Sequence, residues 1–407
     1  MSLQDKNEFS FGQLKQLDRD VLINVYGRDA SKTPMFIKGN GPYLYDERER
    51  KYLDFLSGLG VCNLGHAPKQ VVEAAKAQLD QLVHTSNLYY TVPQIYLAKR
   101  LVDNSFADKV FFANSGAEVN EAAIKLARKY AYNQYGPGHH KIITAKQSFH
   151  GRSLATVAAT GQEKVKKGFA PLPEGFIHVP LNDLSALNDH VDDSTCAIIV
   201  EPIQGEGGVN ICTQEYLQQV KDICLEKDVL LIFDEIQTGM GRTGDLFCYK
   251  NYDIEPDIMT LAKGLGGGLP IGAMLATEKA AQGFSPGDHA STFGGNPVAS
   301  AAGVAVLDKM LEKNFLSSVR QKAEYLSGKL EILKDQTHIQ EIRQMGMMAG
   351  IEIESGAKQV FNFALDNKLL VNAIGDQVIR LLPPLVVSQE DIDAAIHILQ
   401  KGIKSIQ

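Results

Sequence analysis

The sequence predicts an α/β protein whose mainly parallel sheet is covered by helices on both faces, with a smaller α+β domain in the last third of the chain. Short runs rich in Val, Ile and Leu recur through the middle of the chain and alternate with longer segments of helical spacing. Such alternation is typical of parallel sheets, and strands buried on both faces are almost continuously apolar. After residue 297 the pattern changes to two consecutive helices followed by shorter strand-like pieces.

Six strand-like runs define the predicted sheet. They are KVFFA (109–113), KIITA (141–145), CAIIVEP (196–202), VLLIFDE (229–235), DIMTLA (257–262) and GAMLA (272–276). Apolar residues at helical spacing predict helices over 118–135 and 213–228, the second with Thr213 as its N-cap. In the last third, residues 297–334 predict the two helices, 347–353 and 378–384 predict strands, and a final amphipathic helix begins near Ser388.

Composition and charge narrow the classes of function. The 407 residues carry 41 Lys and Arg against 48 Asp and Glu, a net charge of −7 without a basic run, which argues against nucleic acid and membrane surfaces as partners. The start MSLQDKNEFS is polar and no stretch approaches 18 consecutive apolar residues, so we expect a cytoplasmic protein without a membrane span. The five cysteines are scattered without a CxxC pair, which predicts reduced thiols and no metal site.

Small and polar residues follow the predicted strands. In open α/β sheets, ligands bind outside the carboxyl ends of the strands, so these positions are the candidates for a functional site. In chain order they are Asn114-Ser115-Gly116, Phe149-His150-Gly151-Arg152, Glu201, Asp234-Glu235-Ile236-Gln237 and Lys263.

Lys263 and Asp234 indicate the chemistry of this site. In LAKGLGGGLPIGA (261–273), Lys263 follows an apolar strand and precedes a glycine-rich loop. A desolvated lysine amine forms Schiff bases with carbonyls, including pyridoxal phosphate (PLP), whereas an isolated Lys-Gly pair is usually a surface feature. Asp234 ends a strongly apolar strand, where an ionised carboxylate is costly unless it is paired, as it would be with a pyridinium nitrogen; capping a helix is the alternative. Gln237 could reach the 3′-oxygen of the ring.

Other segments supply groups that a phosphate or a carboxylate needs. The turn of Ser115, Gly116 and Ala117 opens a long helix. Its backbone amides could bind a phosphate, and the alternative is that Ser115 simply caps the helix. Ser291 and Thr292 offer hydroxyls beside glycines. Phe149 could stack on a ring and Arg152 could bind a carboxylate, while Arg380 and Glu201, each alone in an apolar strand, fit either a structural ion pair or substrate binding.

The segment GMGRTG (239–244) satisfies the G-x-G-x-x-G pattern of dinucleotide-binding proteins. That pattern requires the glycines to open a helix directly after a strand, but DEIQT intervenes and no helical stripe follows. A non-enzymatic nucleotide-binding module is therefore the disfavoured alternative to an enzyme.

VEPIQGEGG, FDEIQTGMGRTG, LAKGLGGGLPIGAM and STFGGNP, in this order and spacing, resemble the class III PLP-dependent aminotransferases, and the similarity extends from about Gly41 to the C-terminus. The resemblance implies a fold type I transferase with a large domain on a mainly parallel seven-stranded sheet and a smaller α+β domain. It further implies that residues 1–60 contribute to the small domain, that 61–297 form the PLP-binding domain, and that 298–407 form the C-terminal small domain. A homodimer with shared active sites is also implied.

Within this class, HTSNLYYTVPQ (84–94), NSGAEVNEAAIKLAR and QSFHGRSLATVAATGQ are most similar to the acetylornithine aminotransferases. This likeness implies transfer of the terminal amino group of N2-acetylornithine to 2-oxoglutarate, in arginine biosynthesis. Ornithine aminotransferases usually differ at 84–94 and tend to carry tyrosine where this chain has Leu59. Succinylornithine, ornithine, N-succinyl-diaminopimelate, acetyl-lysine and γ-aminobutyrate stay open as alternative amino donors.

The resemblance also assigns cofactor contacts by position. Lys263 would form the Schiff base with PLP and then act as acid and base, Asp234 would pair with the pyridinium nitrogen, Gln237 with the 3′-oxygen, and Phe149 would stack on the ring. Gly116, Ala117 and Thr292 would hold the phosphate, Thr292 by reaching across a dimer interface. Ser115 and Ile236 would make the remaining cofactor contacts.

Substrate contacts follow in the same way. Arg152, with Ser291 nearby, would bind the α-carboxylate of acetylornithine, and Arg380 that of glutamate or 2-oxoglutarate. Glu201 would pair with Arg380 and act as a gate. The chain departs from the family at LGHAPKQ (64–70), which lacks the second histidine of the usual Gly-His-x-His-Pro turn. It also has Arg-Leu-Leu-Pro (380–383) where the acetylornithine aminotransferases usually have Arg-Phe-Ala-Pro, so the arginine is kept.

Overall fold

A computed structural model describes residues 9–334, 336 and 338–406. The strands are β1 Phe36–Asn40, β2 Tyr43–Asp46, β3 Lys51–Asp54, β4 Lys109–Ala113, β5 Lys141–Ala145, β6 Phe176–Val179, β7 Thr195–Val200, β8 Ile203–Gln204, β9 Asn210–Ile211, β10 Leu230–Asp234, β11 Ile258–Leu261, β12 Gly272–Ala276, β13 Ile339–Met345, β14 Met348–Ile353, β15 Leu369–Leu370, β16 Asn372–Ile374 and β17 Val378–Leu381. The helices are α1 Phe11–Val21, α2 Ser57–Gly60, α3 Lys69–Leu79, α4 Val92–Asp103, α5 Gly116–Tyr135, α6 Leu154–Ala159, α7 Glu163–Lys166, α8 Leu184–Asn188, α9 Gln214–Lys227, α10 Glu278–Ala281, α11 Pro297–Met310, α12 Phe315–Glu331, α13 Ala357–Asp366 and α14 Gln389–Lys404.

The central sheet has seven strands in the order β4-β12-β11-β10-β7-β5-β6. Strand β12 is antiparallel to both of its neighbours, and the other six strands run in one direction. This confirms the expected mainly parallel seven-stranded sheet. The sequence pattern identified six of these strands and missed β6, because β6 is a four-residue edge strand that includes His178 and is only half-buried.

The inner strands are apolar throughout because both faces of the sheet are covered. In β10, Leu231 and Phe233 face one hydrophobic cluster, while Leu230 and Ile232 face the other. Helix α5 packs on the second face, where its residues Ala122, Ala123 and Leu126 are buried. The sheet is thereby fixed on both sides, and its strand ends form a rigid edge.

The last third forms an antiparallel sheet in the order β13-β14-β17-β16. The C-terminal helix α14 begins at Gln389, directly after its N-cap Ser388 and close to the expected start, with a capping box formed by Ser388 and Asp391. A second small sheet joins the two ends of the chain, because β15 pairs in parallel with β3, Leu369 opposite Leu53. The contribution of residues 1–60 to the small domain and the boundaries at 61 and 298 stay predictions.

Among the residues that the structure describes, no helix combines the length and the apolar character needed to cross a membrane.

Candidate active site

A cavity of about 430 Å³ lies at the carboxyl ends of β4, β5, β7, β10 and β11. Ten of the residues predicted from the sequence line it: Ser115, Gly116, Ala117, Phe149, Arg152, Glu201, Asp234, Ile236, Gln237 and Lys263. The remaining lining includes Val61, Asn114, His150, Glu206 and the segment 268–271. The residues that follow separate strands in the chain therefore meet in one place, as the rule for open α/β sheets predicts.

Lys263 occupies an unusual backbone position at the base of the cavity. It has a φ of 45°, in the left-handed region that non-glycine residues seldom adopt, and it begins a 3-10 turn over Lys263–Gly266. Gly264 is needed beside it, since a Cβ there would lie 2.6 Å from Asn63 Nδ2. Burial lowers the pKa of the Lys263 ammonium below its ordinary value. With the described residues Lys263 Nζ forms no hydrogen bond or ion pair, so its amine faces the cavity uncommitted.

Asp234 is held by a buried hydrogen-bond network. Its Oδ2 accepts a hydrogen bond from Asn120 Nδ2 at 2.8 Å and lies 2.8 Å from His150 Nδ1, while its Oδ1 accepts one from Ile236 N at 3.1 Å. Asn120 is itself fixed, because its Oδ1 accepts a hydrogen bond from Thr260 Oγ1. The carboxylate is thereby oriented at the floor of the cavity. The sequence interpretation gave no role to Asn120 or His150, which lie 114 and 84 residues from Asp234 in the chain.

The turn before α5 is packed so that the first amides of the helix face the cavity. Ser115 is the N-cap and accepts a hydrogen bond from Glu118 N at 3.3 Å. Gly116 has no room for a side chain, because a Cβ would lie 2.8 Å from Ile236 Cδ1. A Cβ at Gly272, at the start of β12, would lie 2.6 Å from Ser115 O. The N-terminus of this 20-residue helix is therefore a ready site for a phosphate.

Arg152 and Phe149 form one side of the cavity. The guanidinium carbon of Arg152 lies 5.4 Å from the centre of the Phe149 ring, within the range of a cation–π contact. Arg152 is exposed, and none of the described carboxylates forms an ion pair with it. This leaves its guanidinium free for an anionic ligand.

The expected ion pair between Glu201 and Arg380 is wrong, because Arg380 pairs with Glu206. Fully buried Arg380 donates from Nη1 to Glu206 Oε1 at 2.7 Å and to Gln237 Oε1 at 3.2 Å, and from Nη2 to Asn372 Oδ1 at 2.9 Å. The physical reason is the hairpin of β8 and β9, which carries Glu206 from the end of β7 over to β17. Glu206 stands in the same VEPIQGEGG segment (200–208) as Glu201, and its charge between two glycines was the available signal.

The two glutamates differ in their electrostatic setting. Glu201 Oε2 accepts a hydrogen bond from Phe149 N at 3.0 Å, and burial together with the charge of Asp234 raises its pKa well above the ordinary value. Burial also opposes ionisation of Glu206, but the charge and hydrogen bond of Arg380, together with smaller contributions from Lys263 and Gln237, outweigh burial and lower the pKa of Glu206. Glu206 is thus the carboxylate that neutralises Arg380.

Ser291 and Thr292 lie away from the lining of this cavity. Ser291 Oγ accepts hydrogen bonds from Gly294 N at 3.0 Å and from Asn114 Nδ2 at 3.3 Å, which places it near the rim. Thr292 lines a separate small pocket with His84 and Asn87. The reach of Thr292 across a dimer interface stays a prediction.

The segment 239–244 serves to connect the two parts of the molecule. It folds as a series of turns, and the fully buried Arg242 donates to Met347 O at 2.9 Å, to Pro383 O and to Asn63 Oδ1 at 2.7 Å. The glycines flank this arginine rather than opening a helix.

The residues of the cavity fit PLP. A helix N-terminus with no room for side chains suits the phosphate, and a buried, oriented carboxylate suits a pyridinium nitrogen. The uncommitted amine of Lys263 suits a carbonyl group. These three groups, with the ring of Phe149, surround a single cavity.

Comparisons with known proteins agree with this chemistry. Residues 25–403 match the protein family described as Aminotransferase class-III. The chain is 52% identical over 392 residues to an acetylornithine aminotransferase of Caldanaerobacter subterraneus subsp. tengcongensis, covering 96% of this chain and 99% of the relative. It is 46% identical over 392 residues to the acetylornithine aminotransferase of Methanocaldococcus jannaschii, covering 96% and 98%.

Solved structures with the same fold include other aminotransferases. The ornithine aminotransferase of Toxoplasma gondii, which holds PLP at partial occupancy in its active site, superposes with a TM-score of 0.92 at 30% identity, covering 98% of this chain and 96% of that one. The acetylornithine aminotransferase of Elizabethkingia anophelis superposes with a TM-score of 0.86 at 30% identity, covering 98% and 100%.

Proposed function

The chain belongs to the class-III aminotransferase family, a family of PLP-dependent enzymes, and from this premise we propose that it transfers the terminal amino group of N2-acetylornithine to 2-oxoglutarate. The products are N-acetylglutamate 5-semialdehyde and glutamate, and the reaction is a step of arginine biosynthesis. The observation that carries the proposal is one cavity that holds an uncommitted lysine amine, a buried carboxylate and a free guanidinium, with a second guanidinium behind its wall. The relatives named for this activity support the choice of amino donor.

Five parts of the cavity would hold the cofactor. Lys263 would bind it covalently, Asp234 would keep its ring nitrogen protonated, Phe149 would stack on the ring, and Gln237 would lie at the 3′-oxygen. Backbone amides at Ser115–Ala117 would hold the phosphate, with Ile236 packed beneath Gly116. When bound, PLP supplies an electron sink for the carbon that bears the amino group.

Proton transfer falls to Lys263. Because burial lowers the pKa of its ammonium, a larger fraction of Nζ is neutral near pH 7 than for a lysine in water. With the donor bound, Nζ would remove a proton from the substrate carbon that bears the nitrogen and would later return one. Asn120 and His150 keep Asp234 in place during these steps.

Two arginines would distinguish the two substrates. Acetylornithine has one free carboxylate, which the exposed Arg152 would bind, while Glu206 stays on Arg380 and keeps that cation neutralised. 2-Oxoglutarate has two carboxylates, and its second one would displace Glu206 from Arg380. The same site thereby serves a monocarboxylate donor and a dicarboxylate acceptor in alternation.

The proposal includes a cytoplasmic homodimer with shared active sites. Several large apolar side chains of segment 79–96 are exposed in the single chain, namely Leu79, Leu82, Val83, Leu88, Tyr89, Tyr90, Val92, Ile95 and Tyr96. A concentration of exposed apolar side chains in one segment supports an interface there. Asn87 Nδ2 donates to Ser291 O at 3.0 Å and to Gly294 O at 2.8 Å, so the same segment supports the loop of Thr292. A second copy seated there would bring Thr292 toward the cavity of its partner.

A panel of amino donors tests the proposed reaction. The purified holoenzyme is assayed with 2-oxoglutarate and each of acetylornithine, succinylornithine, ornithine, N-succinyl-diaminopimelate, acetyl-lysine and γ-aminobutyrate, and glutamate is measured. Acetylornithine should give the highest kcat/KM, and Lys263→Ala should abolish turnover because it removes the only group proposed to carry the proton. A clear preference for another donor would contradict the proposed substrate. A wild-type protein that takes up no PLP would contradict the enzyme class.

A further inference from the structure

We propose that Arg343 and Gly350 hold the turn that carries Glu206, and that this clamp sets how easily Arg380 is freed for the second carboxylate of a dicarboxylate substrate. The inference rests on the proposed function, since it concerns the exchange of Glu206 for a substrate carboxylate. Arg343 acts here as a positioning residue, because its contacts are with the turn rather than with the substrate.

The clamp follows from the register of the small antiparallel sheet. Arg343 in β13 stands opposite Gly350 in β14, Gly350 stands opposite Arg380 in β17, and Arg380 stands opposite Asn372 in β16. Residues directly opposite each other across antiparallel strands point to the same face. The two arginines therefore flank Gly350 on one face, separated by two strand spacings, or about 9–10 Å.

The turn of residues 205–209 lies over Gly350. A Cβ at Gly350 would approach Val209 Cβ to 2.9 Å and Gly208 O to 3.1 Å. Val209 is fully buried and has a φ of 61°, which is a strained conformation for a β-branched residue. Such a conformation persists only when the surrounding contacts impose it. The glycine in the sheet thus admits the turn, and the contacts around the turn fix its shape.

Each side of the turn is held by one arginine. Arg380 binds the side chain of Glu206, and Arg343 donates from Nη2 to Gly208 O at 2.8 Å and from Nε to the same oxygen at 3.3 Å. Arg343 is itself fixed by ion pairs with Glu341 and Glu352 and is mostly buried. Because it is anchored in β13, Arg343 ties the backbone of the turn to the sheet independently of Arg380.

A polar cleft on the far side of the turn can receive the Glu206 side chain when it leaves Arg380. Glu206 lines the catalytic cavity and also a cleft of about 670 Å³, whose walls include Lys164, Asn210 and Arg343. When a substrate carboxylate takes Arg380, the Glu206 carboxylate can rotate outward toward water and these polar groups. The turn must yield for this to happen, and the hydrogen bonds from Arg343 to Gly208 oppose the movement.

Loosening the clamp should therefore favour dicarboxylate substrates. In Arg343→Met, Glu206 is held less firmly on Arg380, so kcat/KM for glutamate as donor and for 2-oxoglutarate as acceptor should rise relative to kcat/KM for acetylornithine. We expect the ratio to change by about three- to tenfold, the effect of losing a charge-assisted hydrogen bond. A merely structural role for Arg343 would lower all three rate constants together and leave the ratio unchanged.

The experiment measures each half-reaction separately on the holoenzyme by rapid mixing with one substrate. Arg320→Met is the matched control, because Arg320 also donates to a glycine carbonyl, Gly244 O at 2.9 Å, and pairs with a carboxylate, Asp245, but lies on the surface away from the turn. Arg343→Lys, which keeps the charge but lacks the second nitrogen donor, should give an intermediate ratio. If wild-type protein reacts with neither acetylornithine nor 2-oxoglutarate, the proposed function fails. If wild type reacts and the Arg343→Met ratio stays within twofold of it, only the clamp is overturned.

Gly350→Ala provides an independent variant should Arg343→Met fail to fold. Its methyl group pushes Val209 and Gly208 away from the sheet, and with them Glu206 away from Arg380. The ratio should again shift toward dicarboxylates. A folded Gly350→Ala protein with the wild-type ratio would overturn the clamp.

Discussion

At the scale of single residues, three buried or half-buried carboxylates near Lys263 are held in different ways and so serve different ends. Asp234 is fixed by Asn120 and His150, Glu206 is paired with Arg380, and Glu201 is bound to a backbone amide in surroundings that raise its pKa. Because a buried charge without a cationic partner is costly, Glu201 favours its neutral form, whereas Glu206 stays ionised.

A pair of matched substitutions tests this assignment. Glu206→Gln removes the charge that neutralises Arg380, so KM for 2-oxoglutarate should fall by about three- to tenfold, as expected for loss of a competing ion pair. Glu201→Gln keeps the shape of a group that favours its neutral form, so KM should change by less than about twofold. Steady-state kinetics with 2-oxoglutarate varied at saturating acetylornithine gives both values. If Glu201→Gln changed KM more than Glu206→Gln, the result would contradict this assignment and favour the pairing of Glu201 with Arg380 that was expected from the sequence.

The local sequence around Lys263 and Asp234 was sufficient to predict that both residues lie at the cavity, since each follows or ends a recognisable apolar strand beside an unusual motif. Glu206 could not be chosen over Glu201 in this way, because the choice depends on the path of the β8–β9 hairpin toward β17. The contacts of Asn120 and His150 with Asp234 could not be predicted either, although His150 was among the candidate positions. Each contacts Asp234 through long-range packing, which periodicity does not encode.

At the scale of secondary-structure elements, two segments position the site. The turn before α5 is pressed against Ile236 and β12, and the loop of α2 lies over Gln237. The start of α5 was predicted two residues late, because the glycine and alanine of its first turn carry no helical pattern. The α2 loop was not predicted at all, since its conformation depends on positive φ angles at two non-glycine residues, Ser57 and Leu59.

Gly116→Ala should weaken cofactor binding. The added methyl group would meet Ile236 Cδ1 at 2.8 Å and displace the amides at the start of α5. Overpacking of this kind costs about 1–3 kcal/mol, and 1.4 kcal/mol corresponds to a tenfold change, so the Kd for PLP should rise about tenfold or more. Titration of the cofactor-free protein with PLP, followed by absorbance, measures it. Gly328→Ala is the control, because Gly328 lies within α12 with open space around it, and its Kd should match wild type.

The α2 loop should make stability depend on pH through His66. Asp54 Oδ1 accepts hydrogen bonds from Leu56 N at 2.8 Å and Ser57 N at 2.9 Å, and its Oδ2 lies 2.7 Å from His66 Nε2. Burial alone would lower the pKa of His66, but the hydrogen bond to Asp54 and the interaction with the Cys62 thiol together outweigh burial and raise that pKa to about 9. Because the folded pKa lies above the unfolded value of about 6.5, the stabilisation is complete below pH 6.5 and is lost as pH rises through about 9.

Thermal unfolding of wild type and His66→Gln between pH 6 and pH 10 checks this expectation. The variant should be less stable by about 1–3 kcal/mol at low pH, and the difference should shrink as pH rises through about 9. A difference between the two proteins that stays constant over this range would show that protonation of His66 does not support the loop.

At the scale of the whole molecule, the sheet order explains why distant parts of the chain share one cavity. Six parallel strands bring their carboxyl ends to one edge, and the small antiparallel sheet presents Arg380 to the same place. The alternation of strands and helices in the sequence predicted this architecture. It did not predict where Thr292 lies, and within a single chain Thr292 reaches only the pocket that it shares with His84 and Asn87.

Mixing two inactive variants tests whether active sites are shared between subunits. Lys263→Ala lacks the reactive amine, and Thr292→Asp places a negative charge where the partner's phosphate is proposed to bind. If each site takes Lys263 from one subunit and Thr292 from the other, a mixed dimer contains one site with both defects and one intact site. Activity should therefore return when the two proteins are unfolded and refolded together. If mass spectrometry shows that mixed dimers are present and activity still does not return, Lys263 and Thr292 of the same chain serve the same site.

Single-turnover spectroscopy of the wild-type holoenzyme tests the central claim most directly, namely that one site accepts an amino group from acetylornithine and passes it to 2-oxoglutarate. Mixing with acetylornithine alone should convert the absorbance of the pyridoxal form fully to that of the pyridoxamine form, and later addition of 2-oxoglutarate alone should restore it, with one glutamate formed per site. Absorbance that stays unchanged with acetylornithine but converts with ornithine or γ-aminobutyrate would contradict the proposed donor. Absorbance that converts but is not restored by 2-oxoglutarate would contradict the proposed acceptor and the role of Arg380.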